Sequence, residues 1–174
     1  MTNNFVFEPD LAAKKIHIVR EFNAPVEKVW RAWTEPELIE KWIAPKPWTA
    51  KTKIWDFSVG GIWLYAMVGT EGQKRWVYAE FTAIENGSAF SSTGMFCDDE
   101  GNPVRTGPKS YRDTKFSSIS GNRTKLESVI TFEEAATIKM FVETGFKEGT
   151  TASFGNLDEL LASEQMRSPL FTVK

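Results

Sequence analysis

The chain is short of the residues that carry ionic and covalent chemistry. Its 174 residues include one cysteine, Cys97, and one histidine, His17. A lone cysteine cannot close an internal disulfide, which suits a reducing compartment. One His and one Cys far apart in sequence also cannot supply a transition-metal site. The acidic run Asp98-Asp99-Glu100-Gly101-Asn102 lacks the spaced ligands of a calcium loop and reads as a solvated hairpin. Gly60-Gly61 leads into a strand pattern rather than a helix, so it is no phosphate cradle. Neither a P-loop nor a dinucleotide fingerprint occurs. These absences predict a protein that works without metal or cofactor.

Charge of one sign and long apolar runs are lacking too. A net charge of −2 creates no field that would gather nucleic acid or an anionic membrane. No segment approaches the roughly 18 uninterrupted apolar residues that span a bilayer. The opening Met1-Thr2-Asn3-Asn4-Phe5 has neither the basic start nor the apolar run of a secretory signal. The expectation is a soluble, cytoplasmic protein with no nucleic-acid or membrane partner.

What is present is an ordinary globular mixture, 41% hydrophobic and 25% charged, long enough for one domain with a sizeable core. Aromatics are plentiful, with 7 Trp and 13 Phe. Such side chains either fill a thick core or line a cavity. Lys15 to Phe22, KIHIVREF, alternates as a strand does. Pro25 then suits the first turn of a helix, and Val26, Val29, Trp30 and Trp33 follow at helical spacing. Thr34 and Glu37 form a capping-box pattern for a second short helix carrying Leu38, Ile39, Trp42 and Ile43.

Beyond Ala44-Pro45-Lys46-Pro47 the period changes. Strands are predicted over Ala50–Phe57, Ile62–Val68, Arg75–Ile84, Ala89–Phe96, Ser110–Ile119 and Lys125–Phe132. Short turns between most of them favour antiparallel neighbours. The segment Asp98 to Lys109 is the longest loop. Helical spacing returns at Ala135–Glu143 and again at Thr150–Glu164, where Ala152, Phe154, Leu157, Leu160 and Leu161 make an apolar stripe. Gly155 within that stripe predicts close packing, since glycine costs a helix about 1 kcal/mol against alanine. Residues 1–13 and 166–174 read as tails around a domain spanning 14–165. One sheet with helices on one face satisfies the burial needs of both, an α+β arrangement.

These residues resemble a known family. The run KIHIVREFNAPVEKVWRAWTEPELIEKWIAP is similar to the opening of heat-shock-chaperone ATPase activator homologues, within the START-like, birch-allergen-like superfamily. Asp56-Phe57-Ser58-Val59-Gly60-Gly61-Ile62-Trp63 resembles the family's Asp-x-x-x-Gly-Gly segment, Thr124 to Ile130 its last strand, and Glu148 to Leu161 its closing helix. The resemblance covers about residues 14–164. It implies a helix-grip fold, in which a curved seven-stranded antiparallel sheet wraps a long C-terminal helix over a cavity, with two short helices after the first strand. Many relatives bind small apolar ligands in that cavity. The eukaryotic namesake stimulates a chaperone ATPase using an additional N-terminal domain, which has no match in this sequence.

Strand alternation and the resemblance together suggest a lining. Trp63, Tyr65 and Met67 share one face of their strand, and the family comparison turns that face inward together with Trp76, Tyr78 and Glu80. Phe154 and Leu157 look back from the closing helix. Glu80 is then the one acid facing an aromatic interior, where desolvation raises a carboxyl pKa unless a partner satisfies it. His17 alternates away from Ile16 and Ile18, toward solvent or an edge. Ile62, Leu64, Val77, Ala79 and Phe81 fall on the outer face, an apolar stripe whose cover is expected to be a second copy in a homodimer. Three functions follow. The leading one is non-enzymatic binding of a small, largely apolar ligand. The others are a chaperone-interaction module and a cyclase- or hydratase-type enzyme using Glu80 with a tyrosine.

Overall fold

The computed structural model describes residues 4–163 together with Met166. The elements run β1 (Phe5–Asp10), β2 (Lys15–Phe22), α1 (Val26–Thr34), α2 (Pro36–Ile39), β3 (Thr49–Trp55), β4 (Ile62–Val68), β5 (Lys74–Glu85), β6 (Ala89–Met95), β7 (Lys109–Ser120), β8 (Arg123–Phe132), α3 (Ala135–Glu143) and α4 (Phe146–Leu161). All strands pair antiparallel in one sheet of 8, ordered β1-β2-β8-β7-β6-β5-β4-β3. Helices α1 and α4 lie against one face of it. This is the α+β helix-grip architecture, with one strand more than expected.

The extra strand is β1, within the stretch expected to be a tail. Its register sets Phe5 opposite Arg20 and Phe7 opposite Ile18. Phe5 meets the Phe154 ring edge-on at 5.9 Å, and Phe7 meets Phe146 at 5.7 Å. Two aromatic contacts with α4 outweigh the weak strand signal of FVFEPD. Pro9 is tolerated because β1 is the sheet edge, where a missing N–H leaves no ladder bond unmade. At the other end Met166 is fully buried in the core rather than part of a tail. The remainder of that segment, 167–174, lies outside the described residues.

Helix α1 buries Val29, Trp30, Ala32 and Trp33, the face its spacing implies. The capping box does not form. Thr34 instead donates its hydroxyl back to the Trp30 carbonyl at 2.8 Å, and α2 begins after Glu35. Helix α4 starts earlier than expected, at Phe146, behind Gly145 in the left-handed conformation (φ 97°). Gly155 is not closely packed: a Cβ built there meets nothing within 4 Å.

One end of the sheet holds the tight core. Ile16, Phe22, Val29, Trp42, Leu126 and Leu157 are each at most 1% exposed. Burying a side chain of that size contributes about 1.5–3 kcal/mol. Polar ties pin α4 there. Ser153 donates to the Ile43 carbonyl at 2.7 Å, and Asn156 donates to the Ala44 carbonyl at 3.1 Å. Arg20 of β2 grips Asp158 with both guanidinium nitrogens, at 2.6 and 3.3 Å, beneath the Phe22 and Phe154 rings. The double glycine turns the chain into β4. Gly60 takes a positive φ of 88°, and any Cβ on Gly61 would collide with the Asp56 carbonyl.

Candidate functional site

Residues directly opposite in an antiparallel ladder share a face, so the register sorts the two sides of the sheet. Phe90 and Phe116 pack against Trp30 and Trp33 of α1, which marks their side as inward. Following the pairs from there, one inward row is Trp63, Ala79, Gly94, Ser110 and Phe132. The next is Phe81, Ser92, Arg112 and Ile130. Tyr65 pairs with Val77 on the same side.

This corrects half of the expected lining. Trp63, Tyr65 and Met67 do face inward. Trp76, Tyr78 and Glu80 do not: they oppose Ala66, Leu64 and Ile62 on the outer face. The hairpin between β4 and β5 sets the register one residue away from the expected one, and a slip of one exchanges faces. Glu80 therefore cannot serve as an interior acid, which removes the residue on which the cyclase or hydratase reading depended.

The same register dissolves the expected dimer stripe. Ile62 and Leu64 are outward, whereas Val77, Ala79 and Phe81 are inward, with Phe81 only 2% exposed among Phe57, Trp55 and Phe90. The outer face beside Trp76 and Tyr78 is covered by the chain's own β6–β7 loop. Trp76 donates its indole N–H to the Asp99 carbonyl at 3.1 Å. Gly101, at φ 87°, lies so close that a Cβ would approach the Trp76 ring to 3.0 Å. Arg105 donates to the Tyr78 hydroxyl at 3.3 Å. The Asp98 carboxylate, accepting the Glu100 and Asn102 amides, holds this loop shut, and those bonds lower its pKa. Cys97, at the loop's root, has its thiol pKa raised by burial and by Asp98, so it is a poor nucleophile.

Phe154 and Leu157 are buried, at 5% and 0% exposure. The ring contacts of Phe154, however, are with Phe5, Phe22, Trp33 and Trp42, all at the tight end of the sheet. The Phe154 ring makes no ring contact with Trp63 or Tyr65 among the described residues. His17 is outward as expected, and acquires a partner that the sequence did not nominate: its Nε2 lies 2.7 Å from Glu127 on β8.

The inward face is thus divided. Along β8 every inward residue is sealed, as are Ile16, Ile18 and Phe22 of β2, while Phe5 and Phe7 of β1 are half-buried. Toward β4–β7 the inward residues Trp63, Met67, Val77, Ala79, Ser92 and Arg112 are all only half-buried. The floor there is low because Ala79, Gly94 and Ser110 lie side by side and project little. Trp63 stacks on Tyr65 at 4.3 Å, forming an aromatic wall. Burial pushes the Tyr65 phenol up to about 12, so it keeps its proton at neutral pH. Burial lowers the Arg112 guanidinium from its ordinary value, and Tyr65 partly opposes this, so the two lie close enough to interact. Neither hydroxyl nor guanidinium has a hydrogen-bond partner among the described residues, and neither is completely sealed: the one sealed, unpartnered side-chain polar atom is Trp33 Nε1. The trough these residues line is incompletely covered, apolar on its walls and supplied with donors.

An antiparallel sheet holding a closing helix, incompletely covered on part of its inward side, has the architecture of a START-like domain. Residues 23–162 match the family described as Activator of Hsp90 ATPase homolog 1-like protein, and the chain belongs to that family. Among solved structures it is similar to a protein from Arthrobacter aurescens, with 30% identity, a TM-score of 0.83, and coverage of 90% of this chain and 91% of that one. A Mycobacterium smegmatis protein is 29% identical at a TM-score of 0.81, covering 91% of this chain and 98% of that one. A protein from Nitrosomonas europaea is 27% identical at 0.75, with 90% and 99% covered. No curated protein matches the chain. No helix among the described residues is long and apolar enough to cross a membrane.

Proposed function

We propose that this domain binds a small, largely apolar molecule in the trough between β4–β7 and the helices, and that it does so without chemistry. The observation that carries the reading is the cluster of half-buried inward side chains around Trp63, Tyr65 and Val77, in contrast to β8, where every inward residue is sealed. Interiors pack to a density of about 0.75, so a contiguous, incompletely covered patch of aromatic and aliphatic surface on the inward side is suited to an occupant. The chaperone-activator role in the family's description has no comparable observation behind it here. The test is native mass spectrometry of freshly purified protein. A bound small molecule that is lost on denaturation is the expected result. A bare polypeptide mass, together with no binding of apolar fluorescent probes, would refute the reading.

A further inference from the structure

The inward side of β4–β8 carries cations and no carboxylate. Arg75 sits at the end of β5, exposed and stacked over Trp48 at 5.5 Å. Arg112 sits in the middle of β7, between Ser92 and Ile130. Arg20, Arg31 and Arg123 are each held by an acid, to Asp158, Glu35 and Glu21. Arg112 has no hydrogen bond or ion pair to any described residue. A guanidinium withdrawn from bulk water without a counter-charge is costly, and arginine does not escape by losing its proton. The indole N–H of Trp33, whose rings pack on Phe90 and Phe116, is a second donor without an acceptor among the described residues. No carboxylate among the described residues offsets Arg112.

We propose that Arg112 receives the carboxylate of an amphiphilic ligand whose apolar body lies along Trp63, Val77 and Ala79. This deepens the ligand-binding reading and rests on it. The guanidinium presents parallel N–H groups that match a carboxylate's two oxygens. Ser92, directly opposite, offers a hydroxyl, and Tyr65 stays protonated and can donate. On the row beside Arg112 the sheet presents only the small residues Gly94 and Ser110. One cation in an apolar trough matches a singly charged head better than a phosphate dianion, which would keep an unneutralised charge away from water.

The test compares decanoate, naphthoate and the neutral decanol, titrated into delipidated full-length protein by calorimetry and tryptophan fluorescence. The wild type should prefer an acid over decanol by about 10–100-fold, the worth of a charge-assisted hydrogen bond. Arg112→Gln should abolish that preference by weakening the acids far more than decanol, while Arg112→Lys should restore part of it. The stronger of decanoate and naphthoate tells whether the body is an acyl chain or a ring. Equal affinity for acid and alcohol in the wild type, or an acid preference that survives Arg112→Gln, overturns the proposal and leaves the trough as a binding site. Failure of all three probes overturns both readings. Since Arg112 has no partner to lose among the described residues, Arg112→Gln and Arg112→Met should melt at or above the wild-type temperature. If both unfold, Arg112 is a structural residue and the proposal falls.

Discussion

Replacing Tyr65 with phenylalanine should make the protein less sensitive to alkali. In the unfolded chain the phenol ionises near its ordinary value of 10, and in the folded trough burial raises this to about 12. The folded state therefore holds a proton that the unfolded state has released. Below pH 10 both states are protonated and the group contributes no pH dependence. As pH rises from 10 to 12 the unfolded state binds fewer protons, so stability falls with pH in that window. Two pH units at about 1.4 kcal/mol each give a loss of about 3 kcal/mol assignable to this hydroxyl. No discount for exposure is needed, because the residue is only 6% exposed. The assay is urea unfolding of ligand-free wild type and Tyr65→Phe at intervals from pH 9 to 12. Lysine and the other tyrosines titrate in both proteins and cancel in the difference. Near pH 8 the variant should be about as stable as the wild type, within about 0.5 kcal/mol, since the hydroxyl has no partner to lose among the described residues. By pH 12 the gap should widen in the variant's favour by most of the 3 kcal/mol. Parallel curves would refute the argument and show that the trough admits enough water to hydrate a phenolate.

Two further substitutions probe the closing helix. Asp158→Asn leaves Arg20 half-buried with a weakened partner, and should lower the unfolding free energy by about 1–3 kcal/mol in chemical denaturation. An unchanged midpoint would mean that α4 is held by apolar contacts alone. Gly155→Ala should raise stability by about 0.5–1 kcal/mol, because the position is helical and the added methyl meets nothing. A lower melting temperature would place an occupant against that face of α4.

Much of the architecture was legible from the sequence because alternation survives in each strand. The β8 segment RTKLESVITF alternates half-buried and buried residues along its whole length, and periods of that kind announce strands and their spacing. What the sequence does not state is how one strand slides against the next. Trp63 and Tyr78 were expected on one face, yet the hairpin at Gly69–Gln73 pairs Leu64 with Tyr78 and sends the two rings to opposite sides. Trp76 and Tyr78 are partly or fully covered nonetheless, by a loop some twenty-five residues further on, a long-range contact with no local signature. β1 escaped notice because Asp10 and Pro9 obscure a two-residue aromatic alternation. Arg112 carried a usable signal that went unread: it lies four positions before Phe116 and two before Thr114, on the buried side of its own strand. A charged residue in phase with a buried aromatic is the pattern to look for.

The docking of β1 also bears on how the protein is handled. Phe5 and Phe7 brace the rings of Phe154 and Phe146, so the beginning of the chain helps to hold its last helix in place. An N-terminal fusion cleaved imprecisely, or a trimmed expression clone starting near Lys15, would free the edge of β2 and unclamp α4 in one stroke. Such a shortened protein would expose a bare strand edge ready to pair with its neighbours, and its aggregation would say nothing about the native molecule.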